Sequence, residues 1–442
     1  MYLVGVLVVV LGVIVSIALH EVGHLVPAKR FGVKCTQYMI GFGPTLWSKR
    51  VGETEYGVKA IPLGGYVRMI GMFPPKADGR RRPDRLGRWA TLAEQARQDA
   101  AREVRPEDEG RLFYQRSVPK RLVIMLGGPV MNLVLAVFLL AIIVCGFGVP
   151  ATTPVVSEVS PCILPVGQTT RTCAPGDPAA PAASSGIRTG DEIVRFNGQP
   201  VTDWTQVQRQ IRANRGTPVQ IVVRRDGTLQ TFTVTPVVTQ RQVIDANGQV
   251  VTNADGTPRT TAVGFLGLSP TTQLERQSPA VLPGLVWNAV AQTAGVVVAI
   301  PAKMVNVVQS AVTGTERDPN GPISLVGIGR AAGEVASVQG GGSGQAPSLV
   351  DRFVTLLSLI ASLNIALFVF NLIPLLPLDG GHIAGALWEG LRRRIARWRD
   401  RPDPGPVDIA KALPVAYGVA SLLIGMSVLL IYADIVNPIT FG

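Results

Sequence analysis

The sequence of 442 residues has few charged residues, few histidines and few cysteines. Charged residues make up 16% of the chain and the mean hydropathy is +0.30, whereas globular proteins carry about 25% charged residues. This composition excludes a disordered chain and disfavours an ordinary soluble enzyme. Four cysteines without a CxxC pair exclude a disulfide-dense secreted scaffold and a zinc ribbon. A metal site can draw on only three histidines, which are His20, His24 and His382.

Long apolar segments are abundant, and a spanning helix needs about 20 mostly apolar residues. We predict transmembrane helices over residues 1–27, 121–149, 351–380 and 413–436. The first segment has neither a basic leader nor a small-residue cleavage pattern, so we interpret it as a retained span and not as a signal peptide. The predicted fold class is a polytopic α-helical membrane protein with four transmembrane helices.

Basic residues orient this chain in the membrane. Residues 28–120 carry 19 Lys and Arg against 10 acidic residues, and residues 378–412 carry seven, whereas the much longer stretch 150–350 carries only 14. Basic loops stay cytoplasmic, so we expect 28–120 and the loop 381–412 inside, and both termini outside together with 150–350. The net charge of +12 is therefore explained mostly by the basic segments that we expect on the cytoplasmic side of the membrane. We expect no nucleic acid partner, because no aromatic-interleaved basic motif accompanies the charge.

One further segment, residues 285–308, is nearly long enough to span. Its polar and small residues recur at helical spacing of three and four, which indicates an amphipathic helix on the outer membrane surface. We expect residues 276–350 to contain this helix and a glycine-rich linker at 340–344. The alternative is a fifth span, which would carry the arginines of the 381–412 loop outside and break the charge rule.

The end of the first predicted span contains ionisable residues in an apolar run, ALHEVGHLVP. His20 and His24 are one helical turn apart, so both imidazoles project from one face and can hold one zinc ion. Glu21 is placed to take a proton from water that zinc activates. The alternative is a chance HExxH match with buried, satisfied histidines. That alternative is disfavoured because unpaired polar groups in a membrane cost several kcal/mol.

A catalytic zinc site needs a third protein ligand, and the candidate is Asp379 at the end of the third predicted span. Its segment reads NLIPLLPLDGGH over residues 371–382. Pro374 and Pro377 would break the helix and free backbone groups. An ordinary Asp-Gly turn is the alternative for Asp379. His382 is either a fourth contact or a polar neighbour, and the glycines after Asp379 favour the neighbour.

Together these motifs resemble the site-2 protease family of intramembrane zinc metalloproteases, whose signature is HExxH in one span and NxxP…LDG in a later one. Gly41–Pro44 and Gly127–Asn132 are further marks of the family. The resemblance covers essentially the whole chain. It is strongest to the bacterial regulator-of-sigma-E type, and within it to actinobacterial members. The spacing of the second proline varies among relatives, so Pro377 is a weaker match than Pro374.

The resemblance implies an enzyme that hydrolyses peptide bonds inside the bacterial cytoplasmic membrane, with Zn²⁺ as cofactor. It implies His20, His24 and Asp379 as metal ligands and Glu21 as catalytic base. Substrate-binding roles fall on four residues, Asn371, Pro374, Asn132 and Gly43. Residues 36–70 would form membrane-associated β-hairpins, and the alternative is a simple cytoplasmic hairpin. Independently of the resemblance, the Arg- and Glu-rich residues 77–117 predict a charged, solvated helix within 28–120. The implied partners are the lipid bilayer, single-span substrates such as anti-sigma factors, and an upstream protease that trims them first. Remnant signal peptides are a second substrate class.

Residues 150–275 are expected to form one extracytoplasmic PDZ-like α+β domain. The series SGIRTGDEIVRFNGQPV, a helical patch at 203–213 and the strand VQIVVRRDG resemble a PDZ domain, a fold that binds peptides by strand addition. We predict a β-hairpin over 238–262 with turns at Asn247-Gly248 and Asp255-Gly256. A disulfide between Cys162 and Cys173 is plausible outside the cytoplasm.

Two other functions compete with proteolysis. A non-catalytic membrane scaffold that displays a PDZ domain needs no glutamate between two zinc-binding histidines, so Glu21 argues against it. A transporter can relay protons through intramembrane His and Asp residues. The sequence lacks the internal repeat typical of transporters.

Overall fold

The fold was analysed in a computed structural model that describes residues 1–74, 88–163, 173–243, 251, 253, 257–313, 317, 321–337 and 348–437. The predicted turns at 247–248 and 255–256 and the linker at 340–344 lie outside these residues. The chain divides into two compact units. Unit 1 comprises Met1–Gly146 and Ser278–Gly442, and unit 2 comprises Phe147–Gln277.

Unit 1 is mainly helical. Its helices are α1 (Tyr2–Arg30), α2 (Arg88–Arg102), α3 (Val118–Ala141, continued by a π-helical turn over Ile142–Phe147), α6 (Leu282–Thr313), α7 (Leu325–Ser337), α8 (Leu349–Asn371), α9 (Asp379–Trp398) and α10 (Leu413–Val436). Two strands, β1 (Cys35–Val51) and β2 (Thr54–Met69), follow α1. The segment that we predict as the basic 381–412 loop thus contains most of α9.

Five helices in the described part of the chain are long and apolar enough to cross a membrane. They are Tyr2–Arg30, Val118–Phe147, Pro279–Ser310, Leu349–Asn371 and Ile409–Val436. Four of them overlap the predicted spans, but the helix predicted over 351–380 ends at Asn371, because the chain breaks at Pro374 and Pro377 before α9 begins at Asp379. The fifth, Pro279–Ser310, contains the segment for which we expect a surface helix, and by length and composition alone it also qualifies as a span. The chain is therefore a multi-pass membrane protein.

Side-chain contacts set the direction of the central helices. Asn364 of α8 donates to Ser16 Oγ of α1 at 2.9 Å, and four residues earlier on each helix Ile360 packs at Gly12. Helices α1 and α8 therefore run in the same direction. Helix α3 runs in the opposite direction, because Gly127 packs at Gly23 while Asn132, further along α3, meets the earlier His20 of α1.

Strands β1 and β2 fold into a compact antiparallel hairpin with irregular register. Gln37 pairs with Arg68 on one side and with Glu55 on the other, so β1 has neighbours on both edges. The β2 segment around Gly65 lies beside α1, where a Cβ on Gly65 would come within 2.9 Å of Glu21 Cγ. The hairpin predicted for residues 36–70 is therefore present and reaches the HExxH helix.

Unit 2 is an α+β unit built on an antiparallel sheet with the strand order β10-β3-β4-β6-β7, and β5 pairs with β4. Its elements are β3 (Val149–Val159), α4 (Pro181–Ser185), β4 (Glu192–Phe196), β5 (Gln199–Pro200), α5 (Trp204–Ala213), β6 (Val219–Arg225), β7 (Thr228–Val234), β8 (Val237–Gln242), β9 (Thr260–Phe265) and β10 (Leu268–Glu275). Strands β8 and β9 form the hairpin predicted over 238–262, and α5 and β6 match the predicted helix and strand. Cys162 and Cys173 form a disulfide with a Cα–Cα distance of 6.0 Å.

An ion pair with a buried carboxylate links strand β6 of unit 2 to the turn at residues 188–191, which precedes β4. The Asp191 side chain is 1% exposed and accepts from Arg225 Nε at 2.8 Å, from Arg225 Nη2 at 2.7 Å and from the Arg188 N–H at 2.8 Å. Burial raises the pKa of the Asp191 carboxyl, but these donors outweigh burial and leave that pKa below its ordinary value. Asp191 of the predicted Gly-Asp series is thus a structural residue.

We expect Asp191→Asn to destabilise unit 2 at neutral pH, because it removes the buried carboxylate that accepts from Arg225 and from the Arg188 N–H. Hydrogen exchange of the full-length protein should show faster exchange in β4 and β6. Since the native pKa is depressed, the carboxylate stabilises above its unfolded pKa of about 3.9 and its effect is lost in stronger acid. The difference between variant and wild type should therefore shrink at low pH. The exposed neighbour Asp226, changed to Asn, should leave exchange unchanged, and equal exchange in both variants would contradict the assignment.

Candidate metal centre

Three side chains from two distant parts of the chain meet in unit 1. Asp379 Oδ2 lies 3.3 Å from His20 Nε2 and 3.3 Å from His24 Nε2, and the two Nε2 atoms are 3.2 Å apart. In the described part of the chain, His20, His24 and Asp379 form the one group of three suitable metal-ligand residues. The structure thus brings together the predicted ligands, which are separated by more than 350 residues in sequence.

The geometry of this group fits zinc. Zinc holds nitrogen and oxygen ligands at about 2.0 Å in a tetrahedral arrangement, which separates ligand atoms by about 3.3 Å. The three observed distances match one face of such a tetrahedron and leave its fourth corner free. Asp379 Oδ2 is buried and has no hydrogen-bond partner among the described residues. A buried carboxylate oxygen without a donor is costly unless a cation completes its environment.

The atoms His20 Nε2, His24 Nε2 and Asp379 Oδ2 form a triangle of candidate ligand atoms. Hydrogen bonds to the other ring nitrogen of each histidine orient both imidazoles. His24 Nδ1 lies 2.8 Å from the Ile124 carbonyl oxygen, so Nδ1 carries the proton and Nε2 keeps its lone pair for a metal. His20 Nδ1 lies 3.1 Å from the Asn132 side-chain amide. The Asn132 oxygen Oδ1 is buried and has no hydrogen-bond partner within the described part of the chain. A metal on His20 Nε2 requires an acceptor at Nδ1, and Asn132 can supply one by presenting Oδ1.

Glycines allow α1 and α3 to approach closely at the site. Side chains at Gly23 and Gly127 would each overlap the backbone of the other helix. A Cβ on Gly128 would overlap His24 Nε2 and come within 2.7 Å of His20 Cε1. Small residues at such crossings let membrane helices pack backbone to backbone. The Gly127-Gly128 pair therefore gives the imidazoles the space in which they meet Asp379.

Glu21 lies on the same helix as the two histidines and is 8% exposed. It borders strand β2, where Gly65 leaves room for its side chain and the backbone N–H of Val67 interacts with its carboxylate. Its electrostatic neighbours are His20, His24 and Asp379. The predicted base therefore stands between the metal ligands and the hairpin.

The other predicted site residues lie at varying positions around the triangle. Asn371 ends α8, and Pro374 lies in the non-helical stretch that joins α8 to Asp379 at the start of α9. Gly43 adopts φ +85° in β1, and its carbonyl accepts from Lys59 at 3.1 Å. His382 is in the first turn of α9 and is not a member of the ligand group.

Asn132 is where the geometry differs most from the sequence analysis. The resemblance implies substrate binding, whereas Asn132 is 1% exposed and its amide faces His20. Residues that the sequence analysis left without a role are Gly23, Gly65, Gly128 and the Ile124 carbonyl. The signal for the glycines is present in the sequence, since Gly23 lies inside HExxH and Gly128 lies inside the GGPVMN motif.

Comparison with known proteins gives the family of the chain. Its residues 8–401 match the model of Peptidase family M50, and the chain belongs to this family, the site-2 proteases. It is accordingly an intramembrane zinc metalloprotease.

Individual relatives match nearly end to end. The chain is 34% identical to Zinc metalloprotease Rip1 of Mycobacterium tuberculosis, over 99% of both chains. It is also 34% identical to Zinc metalloprotease Rip1 of Mycolicibacterium smegmatis, over 100% of this chain and 99% of the relative. Metalloprotease MmpA of Caulobacter vibrioides is 29% identical over 88% of this chain and 86% of its own.

The glycine contact gives a first prediction for the site. Gly128→Ala should abolish zinc binding, because the added methyl group occupies the position of His24 Nε2. Metal content of the purified protein measures this directly. Gly146, in the π-helical turn that continues α3, has open space around it, so Gly146→Ala should keep one zinc per chain. Full zinc content in both variants would show that α1 and α3 do not need this close contact.

A second prediction separates two roles of Asn132. If Asn132 supports His20, Asn132→Ala should weaken zinc affinity by about 10- to 100-fold, and Asn132→Asp should largely restore it, since a carboxylate also accepts from Nδ1–H. Competition with a chelator measures the affinity. If Asn132 instead donates to substrate, both variants should bind zinc normally and lose cleavage.

Proposed function

We propose that His20, His24 and Asp379 hold the zinc ion and that Glu21 is the catalytic base for peptide hydrolysis within the membrane. The observation that carries this assignment is the triangle of three ligand atoms 3.2 to 3.3 Å apart, with Glu21 beside it. Zinc at this position would supply Lewis-acid activation of water near neutral pH. Glu21 takes the proton from the attacking water and then delivers it to the leaving amine.

We propose that the substrate binds in extended form beside strand β2. A helix hides its peptide bonds, so a membrane segment must unwind before it reaches Glu21. The β2 segment around Gly65 pairs with β1 on one edge, and its other side borders α1 at Glu21. Asn371 ends α8 and Pro374 lies in the break before Asp379, where free backbone groups can pair with a substrate strand. Gly43 lies in β1 of the same hairpin.

An apolar cavity of about 780 Å³ offers an approach for the substrate from the membrane. It is lined by α6, α10 and the end of α8, including Met304, Phe370, Ile373 and Met426. Phe370 and Ile373 flank Asn371, so the cavity borders the loop that leads to Asp379. We propose that the apolar part of a substrate segment enters along this cavity.

We propose four complete crossings, with both termini and residues 150–275 outside the cytoplasm. Helix α3 runs against α1, whereas α8 runs with α1, so the chain leaves α3 and enters α8 on the same side. A single crossing by α6 would break this parity. Helix α7 has 13 residues, about 20 Å of helix, which is shorter than the roughly 30 Å hydrocarbon core. The parity supports a surface position for α6.

We propose that the substrates are single-span proteins such as anti-sigma factors, with remnant signal peptides as a second class. An upstream protease would trim the external part of the substrate first. The strand and helix order of unit 2 supports a PDZ-like domain that admits trimmed substrates and excludes untrimmed ones. A PDZ-bearing scaffold without catalysis would need no Glu21.

The decisive variant is Glu21→Gln. We expect zinc near one per chain in both wild type and variant, because Glu21 is not a ligand, and a loss of cleavage of about 10²- to 10⁴-fold, the usual contribution of a general base. A detergent assay with a model single-span substrate and zinc analysis of the same samples measures both. Cleavage by the variant at the wild-type rate would remove Glu21 from the mechanism. Absence of zinc from both proteins would remove the metal site.

A further inference from the structure

Helix α9 carries an apolar stripe on the side that faces away from the protein. Its residues recur at spacings of three and four, which places them on one face of the helix. Their exposed fractions range from 40% to 82%. The stripe consists of Leu387, Trp388, Leu391, Ile395 and Trp398.

The opposite face of α9 is firmly packed. Ala386, Glu389 and Ala396 are buried, and Glu389 pairs with Arg121 of α3 and accepts from the Val407 N–H at 3.0 Å. The orientation of α9 about its axis is therefore fixed by a buried ion pair. The apolar stripe faces outward because it lies opposite this packed face.

Three arginines border the stripe. At 100° per residue, Arg394 falls on one edge and Arg392 and Arg399 fall on the other, whereas Arg397 lies further round toward the packed face. In the described part of the chain, none of Arg394, Arg397 and Arg399 pairs with a carboxylate, whereas Arg393 turns inward to Glu389 at 3.1 Å. The outward surface of α9 is thus apolar along its centre and positively charged along both margins.

The position of α9 along the membrane helices brings this surface to the bilayer boundary. The helix begins at Asp379, beside His20 and His24 of the first span. Further along, Gly385 packs at Ile409 and Gly390 packs at Val118, where the candidate spans of α10 and α3 begin. The middle of α9 therefore lies level with the first residues of two candidate spans.

We propose that this outward face of α9 lies in the headgroup region and that its bordering arginines bind anionic phospholipid headgroups. Apolar side chains with Trp and flanking Arg are the composition that binds a bilayer surface, and each basic residue near an anionic surface adds to the attraction. Arginine stems can lie along the apolar stripe while their guanidinium groups reach phosphate. The lipid surface thereby anchors the helix whose first residue is Asp379. The anchoring does not depend on the proposed catalytic roles.

The first test measures the depth of Trp398 in the bilayer. Full-length protein is reconstituted in nanodiscs of phosphatidylcholine and phosphatidylglycerol with brominated acyl chains, which quench nearby tryptophan emission. We expect Trp398→Phe to lose part of the quenchable emission. Trp204→Phe, a change in the core of unit 2, should lose only emission that bromine does not quench. Equal quenchable emission in wild type and Trp398→Phe would overturn the proposal.

The second test measures lipid selectivity. Arg392, Arg394 and Arg399 are changed together to Gln, and the matched control changes Arg209, Arg212 and Arg215, which are exposed in unit 2. Phosphatidylglycerol retained by each detergent-purified protein is counted by native mass spectrometry. We expect affinity to fall by about fivefold for each α9 arginine removed, with no change in the control. Equal retention in both, or α9-to-α9 crosslinks showing that a second copy covers the stripe, would overturn the proposal. Neither readout depends on proteolytic activity.

Discussion

The structure depends on the requirement that polar groups inside a membrane find partners. Hydrocarbon offers no hydrogen bonds, so every imidazole, carboxylate and amide at that depth must be satisfied by protein or metal. His24 meets the Ile124 carbonyl, Asn132 meets His20, and Asn364 donates to Ser16 and to the Ile360 carbonyl. Among the buried side-chain atoms of the described residues, Asp379 Oδ2 is the carboxylate oxygen without a donor, and it lies 3.3 Å from the Nε2 atoms of both histidines. An anionic oxygen placed in this way indicates where a cation would bind.

The same requirement explains why candidate metal ligands could be predicted from the sequence. Ionisable residues in an apolar run are so costly that their presence alone points to a function, and HExxH spacing defines a single helical face. Asp379 was identifiable only jointly with the histidines, because an Asp-Gly pair by itself is an ordinary turn. The five apolar helices include the four predicted spans, since hydropathy over about 20 residues is a strong signal.

Other features depend on contacts between segments far apart in sequence and could not be predicted. The sequence places Gly128 in a motif but does not say that His24 fills the space above it. Asn132 is a polar residue in a span, and its partner His20 becomes visible only when α1 and α3 are seen to run in opposite directions. The basic segment after Asp379 was predicted to be a loop from its charge alone. It contains most of helix α9, whose inner face is packed against the protein. For α6, length and composition permit a membrane crossing. The directions of α1, α3 and α8 argue against one, because a single crossing by α6 would change the side from which the chain enters α8.

The order of the ligands along the chain has a consequence for biosynthesis. His20 and His24 belong to the first helix that the ribosome delivers to the membrane, whereas Asp379 follows only after three of the other candidate spans and all of unit 2. A nascent chain therefore carries the two-histidine helix for most of its synthesis and lacks the third candidate ligand until about six-sevenths of the 442 residues are made. The proposed zinc site cannot be completed before that point. A zinc ion held by these three side chains would link the first helix of the chain to the start of α9.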